Sequence, residues 1–109
     1  MRRILLASLV LMMACAGSRT PGGIHAKLAY SEEGGLRIVE VPEGGAAAKS
    51  GLREDDLIIA IDGVPVRELH YVEVVERLRG AAGSQVEIEF VRDGVAQTVP
   101  VTRSPYVRQ

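Results

Sequence analysis

The side chains that could carry out catalysis are few in this 109-residue chain, and they form no catalytic motif. A serine nucleophile needs a base within hydrogen-bonding distance, and the available bases are His25, His70, Lys27 and Lys49. The serines beyond residue 14 all lie in predicted linkers and turns: Ser18, Ser31, Ser50, Ser84 and Ser104. No Gly-x-Ser-x-Gly sequence and no set of three spaced metal ligands is present. We therefore expect a protein that is not an enzyme and that uses no metal and no cofactor.

The start of the chain has the pattern of an export signal. Arg2 and Arg3 precede an apolar stretch at residues 4–13 that contains one polar residue, a serine. This stretch is shorter than the roughly 20 residues that a membrane-spanning helix needs, but it is typical of a signal peptide. The pattern predicts a signal peptide at residues 1–14, and therefore a protein of the cell envelope.

Cys15 is the only cysteine, so it cannot form an internal disulfide. The small residue Ala14 directly before it resembles the bacterial lipobox, in which the cysteine thiol is acylated. The resemblance implies lipidation of Cys15 and attachment to a membrane, and Ala16 at the next position favours the outer membrane. The alternative is cleavage at Ala14-Cys15-Ala16 and release as a secreted or soluble periplasmic protein. Residues 15–22 are expected to form a lipidated, flexible tether.

Composition argues against nucleic-acid binding. The chain has 13 basic and 14 acidic residues, a net charge of −1, no Trp and one Phe. It therefore lacks both the basic surface that binds a phosphate backbone and the aromatic residues that stack on bases.

The remaining sequence predicts short strands around two helices. Alternating or continuous apolar runs predict strands at 24–30, 36–41, 57–61, 64–66, 84–91 and 95–101. The second strand alternates irregularly, which indicates a bulge, and Asp93-Gly94 predicts a two-residue hairpin turn. A short helix at 46–48 should end at Gly51, and a longer amphipathic helix is expected from Leu69 to Arg79.

These elements predict a mainly β fold with helices (α+β). The expected architecture is a half-open barrel of about five short strands, with one short and one longer helix. The domain is expected at residues 23–103, followed by a frayed tail at 104–109.

The ordered set of motifs resembles a bacterial PDZ domain, of the kind found in periplasmic and carboxyl-terminal-processing proteases. The motifs are Gly35 to Val41, Gly44 to Leu52, Asp56 to Gly63, Val66, Leu78-Arg79-Gly80, Gly83 and Arg92-Asp93-Gly94. One departure is Glu54-Asp55-Asp56, where the family commonly has a glycine before the last Asp. The resemblance covers roughly residues 23–102.

The resemblance implies peptide binding by strand addition between an edge strand and the longer helix. The backbone N–H groups of a loop would hold the peptide's terminal carboxylate, and helix side chains would line an apolar pocket. The implied peptide-binding residues are Gly23, Ile24, His25, Ala26, Leu28, Tyr71, Val75 and Leu78. His25 stands where the family has a second glycine. It could obstruct the positive φ of that loop, donate a hydrogen bond to the carboxylate, or have no role.

Three functions follow as hypotheses. The first is a membrane-tethered module whose partner is a peptide or protein C-terminus, captured between strand and helix. The second is an oligomerising interaction protein whose groove is closed, for example by its own tail at 104–109. The third is a regulatory partner of a separate protease.

Overall fold

The computed structural model describes residues 20–106. The predicted signal peptide, Cys15 and the last three residues of the chain therefore lie outside the described residues. The strands are β1 (Pro21–Gly23), β2 (Lys27–Tyr30), β3 (Leu36–Glu40), β4 (Leu57–Ile61), β5 (Val64–Pro65), β6 (Gly80–Ala81), β7 (Gln85–Arg92), β8 (Val95–Thr102) and β9 (Ser104–Pro105). The α-helices are α1 (Ala46–Lys49) and α2 (Tyr71–Leu78), and Val66–Glu68 forms a 3₁₀ turn. The expected fold class is confirmed, although short two- and three-residue strands raise the number of strands above five.

The main sheet is antiparallel, with its strands in the order β2-β3-β4-β7-β8 and with β5 paired to β4. Asp93 and Gly94 join β7 to β8 with φ angles of 53° and 78°. Positive φ at both positions defines a type I′ turn, so the predicted hairpin is confirmed. The predicted bulge is also confirmed, because Lys27 pairs with Glu40 while the next residue, Leu28, pairs with Ile38. Val39 is therefore the extra residue in β3.

The hydrophobic core lies beneath this sheet. Val86, Ile88 and Phe90 of β7 are buried while Glu87 is exposed, so the predicted alternation is confirmed. Val74 is the buried residue of α2. Full burial of side chains of this size contributes about 1.5–3 kcal/mol each, so the sheet and helices form one cooperative unit.

A second, smaller sheet has the order β6-β1-β9. Gly22 pairs with Gly80 on one side and with Pro105 on the other. A Cβ atom at Gly22 would lie 2.6 Å from the carbonyl oxygen of Ser104, so only glycine permits this approach. The tether was expected to extend to residue 22, but Pro21–Gly23 forms a strand. The tail was expected to fray from Ser104, but Ser104–Pro105 forms a strand as well.

Helix α2 lies where the sequence predicts but is shorter at both ends. Leu69 is extended, and the Glu73 carboxylate accepts the N–H of His70 at 2.8 Å just before the first turn. At the other end, the guanidinium of Arg103 donates to the carbonyls of Arg77 and Leu78 at 2.8 and 3.1 Å. These bonds satisfy carbonyls that a helix end leaves free, and they join α2 to the segment after β8.

At the departure Glu54-Asp55-Asp56, the two aspartates have different environments. Asp55 adopts a φ of 75°, a conformation for which glycine is better suited. Asp56 is buried, and its carboxylate accepts hydrogen bonds from the Arg92 side chain at 2.6 and 2.8 Å and from the Arg53 N–H at 2.8 Å. Asp56 is therefore paired within the fold and is not simply solvated.

None of the helices within residues 20–106 has the length and apolar character needed to cross a membrane.

Candidate functional site: a groove between β2 and α2

An open groove runs between β2 and α2. Tyr71, Val75 and Leu78 lie at helical spacing on the side of α2 that faces this groove. Opposite them, Leu28 of β2 forms the other wall. The groove therefore has a strand on one side and an apolar helix face on the other.

The groove contains two neighbouring cavities. The first, of about 200 Å³, is lined by Gly23, Ile24, His25, Ala26, Leu28, Val75, Leu78, Arg79 and Tyr106. The second, of about 230 Å³, is lined by Ala26, Leu28, Ala29, Tyr30, Leu36, Tyr71, Val74, Val75 and Leu78. The residues shared by both cavities, Ala26, Leu28, Val75 and Leu78, are all apolar. Together the two cavities form a slot suited to an extended chain with apolar side chains.

Strand β2 presents backbone hydrogen-bonding groups to this slot. It is the first strand of the main sheet and pairs only with β3 among the described strands. Ser31 donates its N–H to the Gly35 carbonyl at 2.8 Å, so Ser31 faces β3. Because facing alternates along a strand, the backbone groups of Tyr30 and Leu28 point away from β3. An added strand could pair with them.

The opposite edge of the sheet, β8, is less suited to strand addition. Arg92 of β7 and Val95 of β8 flank the two-residue turn and form a hydrogen-bonded pair with each other. The backbone groups of every second residue of β8, from Ala96 onward, therefore face away from β7. Pro100 is one of these outward-facing residues, and it has no N–H to offer. Of the two edges, β2 is therefore the more complete template for a guest strand.

The loop before β2 has unpaired backbone donors. Neither Ile24, His25 nor Ala26 donates its N–H to a partner among residues 20–106. His25 adopts a φ of 58°, and successive N–H groups around such a residue form a concave site for anions. Ile24 is only 5% exposed, so its unpaired N–H belongs to a buried residue, and buried backbone N–H groups without a partner are rare.

This loop is held from three sides. The Ile24 side chain is part of the core, and its carbonyl accepts the N–H of Ala47 in α1 at 2.7 Å. The ring of His25 reaches β9, where its Nε2 lies 3.2 Å from the Ser104 carbonyl and 3.1 Å from that of Pro105. Since both partners are acceptors, Nε2 carries the proton. The loop is therefore fixed before any ligand arrives.

His25 behaves differently from each of the sequence-based alternatives. It adopts the positive φ that the family assigns to glycine, so it does not obstruct the loop. Its Nε2 is directed to β9 and is therefore not the donor for a ligand carboxylate. The ring also lies 5.7 Å from that of Tyr106, at an angle of 49°.

All eight residues expected to bind a peptide line one or both cavities. Sequence reasoning missed Tyr30, Arg79 and Tyr106, which line the same groove. Tyr106 belongs to the segment that was expected to fray, and its hydroxyl lies so close to Gly23 that a Cβ there would overlap it. The pairing of β9 with β1 joins residues about 80 positions apart, and no local sequence signal reveals it.

No group of three or more His, Cys, Asp or Glu side chains within residues 20–106 could hold a metal ion.

Comparison with known proteins identifies relatives of this chain. The chain is 34% identical over 93 residues to the chloroplastic C-terminal processing peptidase of Tetradesmus obliquus, covering 81% of this chain and 20% of that protein. It is also 34% identical over 73 residues to the carboxy-terminal processing protease CtpA of Bacillus subtilis, covering 67% of this chain and 16% of that protein. The chain thus spans about a fifth or less of the length of these two relatives.

Solved structures agree with this relationship. The PDZ domain of the carboxy-terminal protease from Vibrio cholerae, solved in complex with a peptide, superimposes with a TM-score of 0.66 at 29% identity. That match covers 78% of this chain and 95% of the other. Residues 37–92, about half of the chain, match the profile of the family described as PDZ domain. The chain belongs to the PDZ domain family.

Proposed function

We propose that this protein is a peptide-binding module that captures the C-terminal end of an extended peptide between β2 and α2. The peptide backbone pairs with the outward-facing groups of Leu28 and Tyr30, and apolar peptide side chains occupy the two cavities. The single observation that carries this proposal is the combination of an open strand edge with an apolar helix face across it.

The peptide's terminal carboxylate binds at the loop before β2. The unpaired N–H groups of Ile24, His25 and Ala26 supply the donors, and the loop needs no rearrangement because α1, the core and β9 already hold it. The peptide complex of the Vibrio cholerae relative supports this assignment of function. The module carries out no chemistry of its own in this proposal.

The proposal is tested by fluorescence anisotropy with a library of fluorescein-labelled heptapeptides that differ in their last four residues. We expect saturable binding in the micromolar range, because one short peptide buries little area after ordering costs. Val75→Glu, which puts a charge into both cavities, should weaken binding about tenfold or more.

Val72→Glu is the matched control, because Val72 lies on the same helix, is 62% exposed and lines neither cavity. It should leave affinity unchanged. Ile24 also lines the first cavity, but it is not substituted, because it is a core residue and a charge there would unfold the domain. Equal effects of the two valine variants, or no binding by any peptide, would contradict the proposal.

A second function, a groove closed by the chain's own C-terminal segment, is favoured by one observation. Tyr106 lines the first cavity at the end where the carboxylate would bind. If this segment closes the groove, Tyr106→Ala should raise peptide affinity several-fold. If the groove is open to ligands, Tyr106→Ala should leave affinity equal or lower.

We further propose that the protein works in the cell envelope, attached through a lipid on Cys15 and facing the periplasm. The support is the signal-like sequence at residues 1–14 and the envelope proteases among the relatives, including DegP-like periplasmic endoproteases. Labelled palmitate should be incorporated into the wild-type protein and not into Cys15→Ser. Absence of label from the wild type, with export unchanged in the variant, would refute the lipid anchor.

A further inference from the structure

The groove contains a single formally charged side chain among the described residues. Arg79 is the one Lys, Arg, Asp or Glu that lines either cavity. It lines the first cavity, together with Gly23, Ile24 and Ala26 of the loop, and it does not line the second. The positive charge therefore lies at the same end of the groove as the unpaired backbone N–H groups.

The guanidinium of Arg79 is available to a ligand. It makes no hydrogen bond or ion pair with the rest of residues 20–106, and the residue is exposed. Its backbone N–H is satisfied by the Val75 carbonyl at 3.1 Å. Within residues 20–106 the guanidinium donors thus have no partner, and a planar guanidinium is well suited to binding a carboxylate.

A structural role at the helix end does not account for Arg79. Arginine near the C-terminus of a helix commonly binds the last carbonyls. Here the carbonyls of Arg77 and Leu78 already accept from Arg103, at 2.8 and 3.1 Å. Arg79 itself is extended, with φ −87° and ψ 158°, and it lines the first cavity.

We infer that Arg79 is a specificity-determining residue that binds the α-carboxylate of the captured peptide. The inference rests on the proposed function. The loop N–H groups approach the carboxylate from one side and the guanidinium from the other, so the groove selects a free C-terminus over an amidated or internal segment. A neutral amide at the same place would lose the ion pair and present its own N–H donors to the donors of the loop.

The test compares one peptide in two forms. The tightest-binding heptapeptide of the fluorescein-labelled library is prepared as the free acid and as the C-terminal amide, and both are titrated by anisotropy. For the wild type we expect the acid to bind more tightly than the amide. Arg79→Gln should weaken the acid about three- to tenfold, the range of a partly exposed ion pair, and leave the amide unchanged.

Two variants control for charge and fold. Arg79→Lys keeps the charge and should recover part of the preference for the acid. Arg77→Gln removes the same charge two residues away, in the last turn of α2, but Arg77 lines neither cavity, so the preference should stay at the wild-type value. The difference between wild type and Arg79→Gln should also shrink as NaCl is raised from 50 to about 500 mM.

The failure of this inference is distinguishable from failure of the proposed function. If Arg79→Gln keeps the wild-type ratio of acid to amide affinity, whether both affinities are unchanged or both fall equally, Arg79 does not bind the carboxylate. The groove would then still bind peptides. If no peptide binds the wild type, the proposed function itself fails.

Discussion

At the scale of single residues, four non-glycine positions within residues 20–106 have positive φ: His25, Asp55, Asp62 and Asp93. Asp62 and Asp93 each precede a glycine in a two-residue turn, where this conformation is expected. His25 and Asp55 lie outside such turns, and at each position the resemblance to PDZ domains predicts a glycine. The energetic cost of positive φ at His25 is offset by the hydrogen bonds of its side chain to β9, whereas the side chain of Asp55 has no described partner. The two departures from the family pattern therefore differ in their cost.

Asp55→Gly is expected to stabilise the protein. Relief of the left-handed conformation outweighs the greater entropy of glycine in the unfolded chain, for a net gain of about 0.5 kcal/mol. The backbone bonds of residue 55, to Ile38 and to Arg37, do not depend on its side chain. The melting temperature should rise by about 2–4 °C in a calorimetric scan. Asp55→Ala keeps a Cβ atom at the same φ, so a similar rise in that variant would contradict the explanation.

Asp56 makes stability depend on pH in the acid range. Burial alone would raise the pKa of this carboxyl, but the hydrogen bond from Arg92, the Arg53 N–H and the charges of both arginines lower it below the ordinary value of 3.8. A carboxyl with a lowered pKa in the folded state stabilises the fold above its unfolded pKa. That stabilisation is lost as the pH falls from about 4 through the lowered folded value.

Urea unfolding at pH 7, 4 and 3 measures this effect. The wild type should lose stability across that interval, and Asp56→Asn should be less stable at pH 7 and less sensitive to acid. Asp93→Asn is the control, because this carboxylate is exposed and makes no described hydrogen bond. An identical loss of stability on acidification in the wild type and in Asp56→Asn would show that another group is responsible.

At the scale of elements, the width of the groove depends on how α2 is held against the sheets. Arg103 is 8% exposed and donates to the carbonyls of Arg77, Leu78 and Gln85 and to the Ser84 hydroxyl. It therefore joins the end of the helix to the start of β7. A Cβ at Gly80 would lie 2.8 Å from its guanidinium carbon, so Gly80 allows the side chain to pass.

Arg103→Met should free the end of α2. Removing these donors leaves at least two helix carbonyls unpaired, which should lower the free energy of unfolding by about 2 kcal/mol. Amide hydrogen exchange should become faster at Val75 to Arg79 and remain slow in the β7–β8 hairpin. Peptide affinity should fall, because Val75 and Leu78 lose their fixed position. Arg67→Met, at an exposed site in the 3₁₀ turn, should change none of these three properties.

At the scale of the whole molecule, the second sheet closes the fold by pairing the beginning of the described chain with its end. Gly22 lies between Gly80 and Pro105, and the loop that follows β1 contains the unpaired N–H groups. Strand β9 also accepts the hydrogen bonds of His25. The last strand therefore supports the binding loop although it is far from it in sequence.

Deletion of residues 104–109 should destabilise both the fold and the binding loop. It removes the β1–β9 pairing and the partners of His25, and we expect the melting temperature to fall by about 5 °C or more. Peptide affinity should fall with it. Deletion of residues 107–109 alone removes none of the described hydrogen bonds and serves as the control. Unchanged melting after the longer deletion would show that β9 contributes little.

Sequence patterns predicted the elements governed by local rules. The Asp93-Gly94 turn, the alternation in β7 and a bulge in the strand at 36–41 all follow from neighbouring residues, and all are confirmed. Contacts between distant residues were not predictable. β9 consists of a serine and a proline, which have little strand preference, and it forms only because Gly22 permits close approach. The burial of Asp56 likewise depends on Arg92, 36 positions away.

The pairing of Gly22 with Pro105 means that the polypeptide enters and leaves this unit at neighbouring points, about 5 Å apart. A unit with this geometry can be spliced into a surface loop of another protein without forcing the host's flanking segments apart. In the C-terminal processing peptidase of Tetradesmus obliquus, the matching segment makes up about a fifth of the sequence. Gly22, which allows the two ends to lie side by side, is thus also the residue that makes such an insertion geometrically possible.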